Sequence, residues 1–244
     1  MYRTASRLAN SIAKRLFWRY HLDEARTLIR QLRRELTTTE MLMALPVVFR
    51  GKGHYRSLDL KQNMNELLGL VREVEQLELS TVCEIGTLKG GTLFIWCQLA
   101  RPDATVFSID LPGGEFGGGY SERSLPLFDA FTKDGQRLEC LRGDSHAEET
   151  RQDFASRLGE RRLDFLFIDG DHTYDGVRQD FEMYAPYVRP GGIVAFHDIL
   201  PRPELPEIEV WRFWEELKQS HRHREFIEHD KGSRSIGIGL VHID

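Results

Sequence analysis

Short apolar runs, each stopping at an acid or a glycine and followed by a segment of helical periodicity, recur along this chain and narrow its possible folds. The clearest case is Thr81-Val82-Cys83-Glu84-Ile85, which breaks at Gly86 and resumes as an apolar helical stretch after Gly90, Gly91 and Thr92. Further runs cover 105–109, 138–142, 163–168 and 192–196, and a helix runs over 91–99. Val177, Phe181, Tyr184 and Val188 share one face of another. Strands that alternate with helices form a parallel sheet covered on both faces, so the expected class is α/β, doubly wound.

The two ends depart from this alternation. Leu60 to Leu77 has helical spacing in Met64, Leu67, Leu68, Val71 and Val74, and leads into the first strand. After a helix carrying Val210, Trp211, Trp214 and Leu217, strand-like runs at 225–228 and 235–241 flank Gly232 and Ser233. This predicts an antiparallel C-terminal hairpin, giving seven strands, mostly parallel. The expected organisation is a helical extension over 1–76, serving as lid, partner contact or oligomer contact, and one domain over 77–244.

With 244 residues, 41% of them hydrophobic, the chain can bury a sizeable core. A net charge of −5 argues against nonspecific nucleic-acid binding. No run approaches the roughly 20 apolar residues of a membrane span. Cys83, Cys97 and Cys140 lack paired spacing and read as buried thiols of a reducing, cytoplasmic compartment. Basic residues crowd the start, where Arg3, Arg7, Lys14, Arg15, Arg19, Arg26, Arg30, Arg33 and Arg34 outnumber the acids. With Leu8, Ile12 and Leu16 at helical spacing, this segment reads as a helix packed on the domain or a partner; a membrane-surface helix and a targeting segment share the pattern.

The glycine loop after Ile85 presents free main-chain N–H groups at a strand end, where a ligand approaches the backbone. It lacks the G-x-G-x-x-G spacing of a dinucleotide site and has Glu84 before the turn, which favours a small cationic ligand over a pyrophosphate. Asp110 ends the second strand, where a carboxylate accepts from both hydroxyls of a ribose. Gly143-Asp144-Ser145 offers short polar groups to a base edge, and Asp144 or Ser145 also reads as the cap of the next helix. A five-glycine loop (Gly113, Gly114, Gly117, Gly118, Gly119) reads as a lid or mouth segment. Asp169-Gly170-Asp171-His172 and His197-Asp198 follow the fourth and fifth strands and are expected to converge. Two carboxylates and a histidine there suit a divalent cation such as magnesium, and His172, with an ordinary pKa of about 6.5, suits a general base. Their structural alternative is capping of a helix starting near Thr173. His221-Arg222-His223-Arg224 reads as a solvated turn.

Over 77–200 these residues resemble class I S-adenosylmethionine-dependent methyltransferases, in particular the small-molecule O-methyltransferases that include sugar methyltransferases. That resemblance implies a Rossmann-like sheet, with Glu84, Gly86, Thr87, Gly90 and Gly91 as the cofactor loop, Asp110 as the ribose acid, and Asp144 and Ser145 at the adenine. It implies His172 as base beside Asp169, with Asp169 also against the cofactor. A metal, where present, falls on Asp169, His197 and Asp198; the histidine at 197 stands where related magnesium-dependent members have an acid. The acceptor implied is a hydroxyl on a small molecule or sugar. The alternatives are a nicotinamide-linked oxidoreductase, a metal-dependent hydrolase, or a noncatalytic interaction module on the same sheet.

Overall fold

The computed structural model describes residues 2–114, 118–229 and 235–244, with side chains from residue 17 onward. Three helices come first, α1 (Tyr2–Arg34), α2 (Thr39–Val48) and α3 (Met64–Val74). The alternating part follows as β1 (Thr81–Ile85), α4 (Gly91–Leu99), β2 (Thr105–Asp110), α5 (Leu125–Phe128), β3 (Arg137–Arg142), α6 (Glu148–Leu158), β4 (Leu163–Ile168), α7 (Tyr174–Tyr184) and β5 (Val188–His197). Helix α8 (Val210–Leu217) and strands β6 (His223–Phe226) and β7 (Ile238–His242) close the chain.

The seven strands stand in the order β3-β2-β1-β4-β5-β7-β6. β1 to β5 pair in parallel, and β7 joins β5 and β6 antiparallel. From β1 the chain winds outward through β2 and β3, then returns to build β4 and β5 on the other side. The crevice between the carboxyl ends of β1 and β4 is therefore the topological switch point, where open α/β sheets bind ligands. The register sets Ile85 level with Ile109 and Ile168, and Ile168 level with Phe196. The residues that follow these four positions meet along one edge.

Alternation along each strand divides the core in two. Val82, Phe165, Phe167 and Ala195 face a layer made by α1 to α4, while Cys83, Phe107, Leu166 and Phe196 face α6, α7 and α8. On the first face, Trp96 lies edge-on to Phe165 with ring centres 4.9 Å apart. The C-terminal half of α1 belongs to this layer, since Leu22, Ala25 and Ile29 are buried in it. The side chains of Leu8, Ile12 and Leu16 lie outside the described residues. Among the described residues no helix is long and apolar enough to cross a membrane.

Several boundaries differ from the sequence expectation. Helix α3 begins at Met64, not Leu60, because Asn63 Oδ1 accepts from the backbone N–H of Asn65 at 2.9 Å and caps it. Val188 starts β5 instead of extending α7, which passes through a 3₁₀ turn at Ala185–Tyr187 containing Pro186. His223 and Arg224 belong to β6 and not to a turn. The predicted hairpin has its strands at β6 and β7, and its Gly232 and Ser233 lie outside the described residues. Cys83 and Cys97 are buried and Cys140 is half-buried, all unpaired.

Candidate active site

A cavity of about 760 Å³ opens at the switch point. One wall is the turn after β1. Gly86 takes φ +88°, and a Cβ there would come within 2.0 Å of the Asp169 carbonyl oxygen. Only glycine lets this turn close against the end of β4. Its N–H is spent on Ile109 O at 2.9 Å, and Leu88 also takes a left-handed conformation, φ +52°. Leu88 N–H then donates to Asp110 Oδ2 at 2.8 Å, tying the turn to the end of β2. Burial pushes the Asp110 carboxyl up to about 6, although backbone N–H groups of Leu88 and Tyr120 pull the other way.

Gly86, Leu88, Asp110, Asp144, Ser145 and Asp169 all line the cavity, as do Gly114, Gly118 and Gly119 of the glycine-rich loop. That loop is a mouth segment, closed by Gly113 N–H donating to Gly118 O at 2.7 Å; Gly117 lies outside the described residues. Glu84, Thr87, Gly90 and Gly91, read as cofactor-loop residues, turn inward instead. Glu84 is fully buried and accepts from Thr87 Oγ1 at 2.8 Å and Trp96 Nε1 at 2.9 Å. Burial raises its carboxyl to about 8. Thr87 Oγ1 also shares a hydrogen bond with Ser108 Oγ at 2.7 Å, so the whole network supports the turn from beneath. A Cβ on Gly90 would lie 2.7 Å from Phe128, and one on Gly91 2.3 Å from the Asp59 carbonyl oxygen. These two glycines serve close packing behind the turn, and the cationic partner expected of Glu84 has no access to it.

Opposite the turn, four side chains meet. The register that levels Ile168 with Phe196 brings Asp169 beside His197, and His172 and Asp198 complete a ring. Asp169 Oδ1 lies 3.1 Å from His197 Nδ1 and 3.4 Å from His172 Nε2. Asp198 Oδ2 lies 3.3 Å from His197 Nδ1 and 3.0 Å from His172 Nε2. Each carboxylate has its second oxygen held from outside the ring: Gln62 Nε2–H donates to Asp169 Oδ2 at 2.6 Å, and Arg202 donates to Asp198 Oδ1. Burial alone would raise both carboxyls, but the adjacent imidazoles hold Asp169 below its ordinary value and Asp198 far below. Burial alone would likewise lower both imidazoles, but the carboxylates push His172 up to about 9 and His197 to about 10. His172 is therefore protonated at neutral pH in the metal-free protein, not balanced near its ordinary pKa as the sequence suggested.

Residues 83–199 match the profile of the methyltransferase domain family. Over that stretch, just under half of the chain, the sequence is similar to methyltransferase domains. An uncharacterized protein of Sinorhizobium fredii is 30% identical over 148 residues, covering 59% of this chain and 16% of that protein. One from Acanthamoeba polyphaga mimivirus is 53% identical over 121 residues, 48% of this chain and 51% of its own length. The chain thus spans about half or less of the curated relatives it matches. The crystal structure of an O-methyltransferase from Bacillus cereus with S-adenosylhomocysteine superposes with a TM-score of 0.56 at 15% identity. It covers 77% of this chain and 83% of that one, and shows the shared fold.

Within the matched stretch, two sequence alternatives resolve. Helix α7 is capped by Thr173, whose hydroxyl accepts from Gly176 N–H at 3.1 Å, so Asp169 is free of capping duty and belongs to the ring. Asp144 accepts from His146 N–H at 2.9 Å in the turn before α6, whose N-cap position is Ala147. Magnesium, expected on Asp169, His197 and Asp198, does not suit the ring. It takes oxygen donors and keeps several waters, whereas here two imidazole nitrogens alternate with two carboxylate oxygens in a buried setting.

Sequence reasoning missed Gln62, Arg202 and Glu66. Buried Glu66 of α3 accepts from Glu228 N–H at 3.0 Å and Gly237 N–H at 2.9 Å, fixing the β6–β7 connection whose Ile236 lines the cavity. No local pattern marks any of the three, because each acts on a partner set by the fold. His146 also lines the cavity and pairs with buried Asp180 at 3.2 Å.

Proposed function

We propose that the methyltransferase domain transfers a methyl group from S-adenosylmethionine to a hydroxyl of a small-molecule or glycosidic acceptor. The observation that carries this reading is the pairing, across one cavity, of the Gly86–Asp110 turn with the Asp169–His172–His197–Asp198 ring. When bound, the cofactor supplies a methyl on a positively charged sulfur. The cavity residues fit it: Asp110, tied to the turn by Leu88, accepts from the ribose hydroxyls, and Asp144 and Ser145 border the base. The turn itself, cleared of side-chain bulk at Gly86, admits the remainder of the molecule.

Methyl transfer to oxygen asks for in-line placement, exclusion of water and removal of one proton. His172, which lines the cavity, is the ring member that takes that proton in the fraction of molecules whose imidazole is neutral, a fraction that grows as pH rises toward about 9, with Asp169 and Asp198 orienting the imidazole. Calorimetric titration with S-adenosylhomocysteine and, separately, NAD tests the assignment. Binding of the former and not the latter is expected; NAD binding without S-adenosylhomocysteine binding overturns it in favour of the oxidoreductase.

A further inference from the structure

We propose that a second cavity, between the C-terminal ends of α1 and α4 and the start of α2, binds a small organic molecule through its phosphate group. This goes beyond the methyltransferase reading and does not rest on it.

The second cavity has a volume of about 780 Å³, and Arg30, Arg33, Arg34 and Lys133 all line it. Arg33 and Lys133 are half-buried, while Arg30 and Arg34 are exposed. It shares no lining residue with the cavity at the switch point. Helix α4 spans the two, starting behind the glycine turn and ending at the second cavity, roughly 13 Å on at about 1.5 Å per residue.

The two inner cations spend their hydrogen bonds on uncharged acceptors. Arg33 donates from Nε to Gln98 Oε1 at 3.1 Å, and from Nη1 to the carbonyl oxygens of Ala130 at 3.0 Å and Thr132 at 2.6 Å. Lys133 Nζ donates to Gln98 O at 2.5 Å and Ala100 O at 2.8 Å. One Lys133 hydrogen and, among the described residues, Arg33 Nη2 remain for a ligand. Among the described residues, none of the four cations forms an ion pair with a carboxylate. Burial pushes Arg33 and Lys133 below their ordinary values, and for Lys133 the neighbouring Arg33 charge adds to the effect.

A purely structural account assigns these two cations to the last carbonyls of α4, where positive charge is favoured. That helix end is worth roughly half a negative charge, against two full positive ones. Three acids also line the cavity: Asp129 lies 3.8 Å from Arg26, Glu75 accepts from Thr39 Oγ1 at 2.5 Å, and Asp134 is exposed. Arg26, Arg30 and Arg34 match these acids in number, which leaves Arg33 and Lys133 in surplus. Two charges less the helix end is close to the charge of a phosphate monoester, about −1.5 to −2 at pH 7. The guanidinium fork suits phosphate oxygens, and Leu36, Leu42 and Leu99 give an organic body an apolar wall.

The full chain is titrated calorimetrically with inorganic pyrophosphate at low ionic strength. One equivalent is expected to bind, with a Kd below about 1 mM. Lys133→Gln keeps a donor for the α4 carbonyls but removes the charge, and should weaken binding by about tenfold or more, as should Arg33→Gln. The exposed pair Arg30→Gln with Arg34→Gln should weaken it by a few-fold. Circular dichroism checks folding, and where an inner variant does not fold, the exposed pair decides. Lys61→Gln with Lys89→Gln, at the other cavity, should leave the affinity unchanged. Absence of stoichiometric binding to the wild type, unchanged affinity in the folded variants of the second cavity, or a loss confined to the Lys61→Gln with Lys89→Gln variant overturns the proposal.

Discussion

Gln62 and Asp169, 107 positions apart, share a 2.6 Å hydrogen bond that ties the segment before α3 to the end of β4. Both side chains are largely buried, so the N-terminal helical part of the chain closes the candidate site from one side. Gln62→Ala leaves an oxygen of a buried carboxylate unmatched, at a cost of about 1–3 kcal/mol. Thermal denaturation should show Tm lower by several degrees. An unchanged Tm would mean that water replaces the amide without loss.

Asp110→Asn should keep the fold, because the amide oxygen still accepts from Leu88 and Tyr120 N–H groups. It loses the charge that strengthens two ribose hydrogen bonds. Affinity for S-adenosylhomocysteine is expected to fall by about tenfold to a hundredfold, measured by calorimetry. Equal affinity would remove Asp110 from the cofactor site.

Glu84 makes stability depend on pH. The unfolded chain releases this proton near the ordinary 4.5, while the folded chain keeps it to about 8. Stability therefore falls as pH rises through that window and levels off above it. Glu84→Gln preserves the contacts to Thr87 and Trp96 without the titration. In urea denaturation the variant should gain on the wild type by on the order of 1–3 kcal/mol between pH 5 and pH 8. A constant difference across that range would show that Glu84 ionises at its ordinary value in the folded protein.

His146 carries the opposite sign. Asp180 raises its imidazole to about 9, so the stabilisation is full below the ordinary 6.5 and fades as pH rises through about 9. Burial holds the Asp180 carboxyl above its ordinary range even with His146 beside it. His146→Ala should cost on the order of 1–3 kcal/mol at pH 6, with the gap narrowing above pH 9. A gap independent of pH would assign the loss to packing alone.

Much of the sheet was legible because its signals are local. The runs at 81–85 and 163–168 and the helix at 91–99 match the structure end for end. Apolar runs bounded by acids and glycines mark strands wherever burial is even on both faces. Boundaries failed where a cap or a proline decided them, as at Asn63 and Pro186. The glycine turn was recognised, but not its division of labour: Gly86 faces the cavity, while Gly90 and Gly91 face Phe128 and Asp59. Glycine's positional meaning comes from what a Cβ would strike, and that is a tertiary fact.

The alternation of strands and helices, the glycine turn and the acids at strand ends were determined by the sequence itself, since each follows from periodicity or backbone freedom within a few residues. Which side chains meet was decided only by tertiary structure. The strand order sets β4 beside β1 and β5 beside β4, and so joins Asp169 to His197 while bringing Gln62 and Arg202 behind the carboxylates. Contacts across such distances depend on the winding of the whole sheet. The same winding turned His172 from a residue of ordinary pKa into a cation held by two carboxylates.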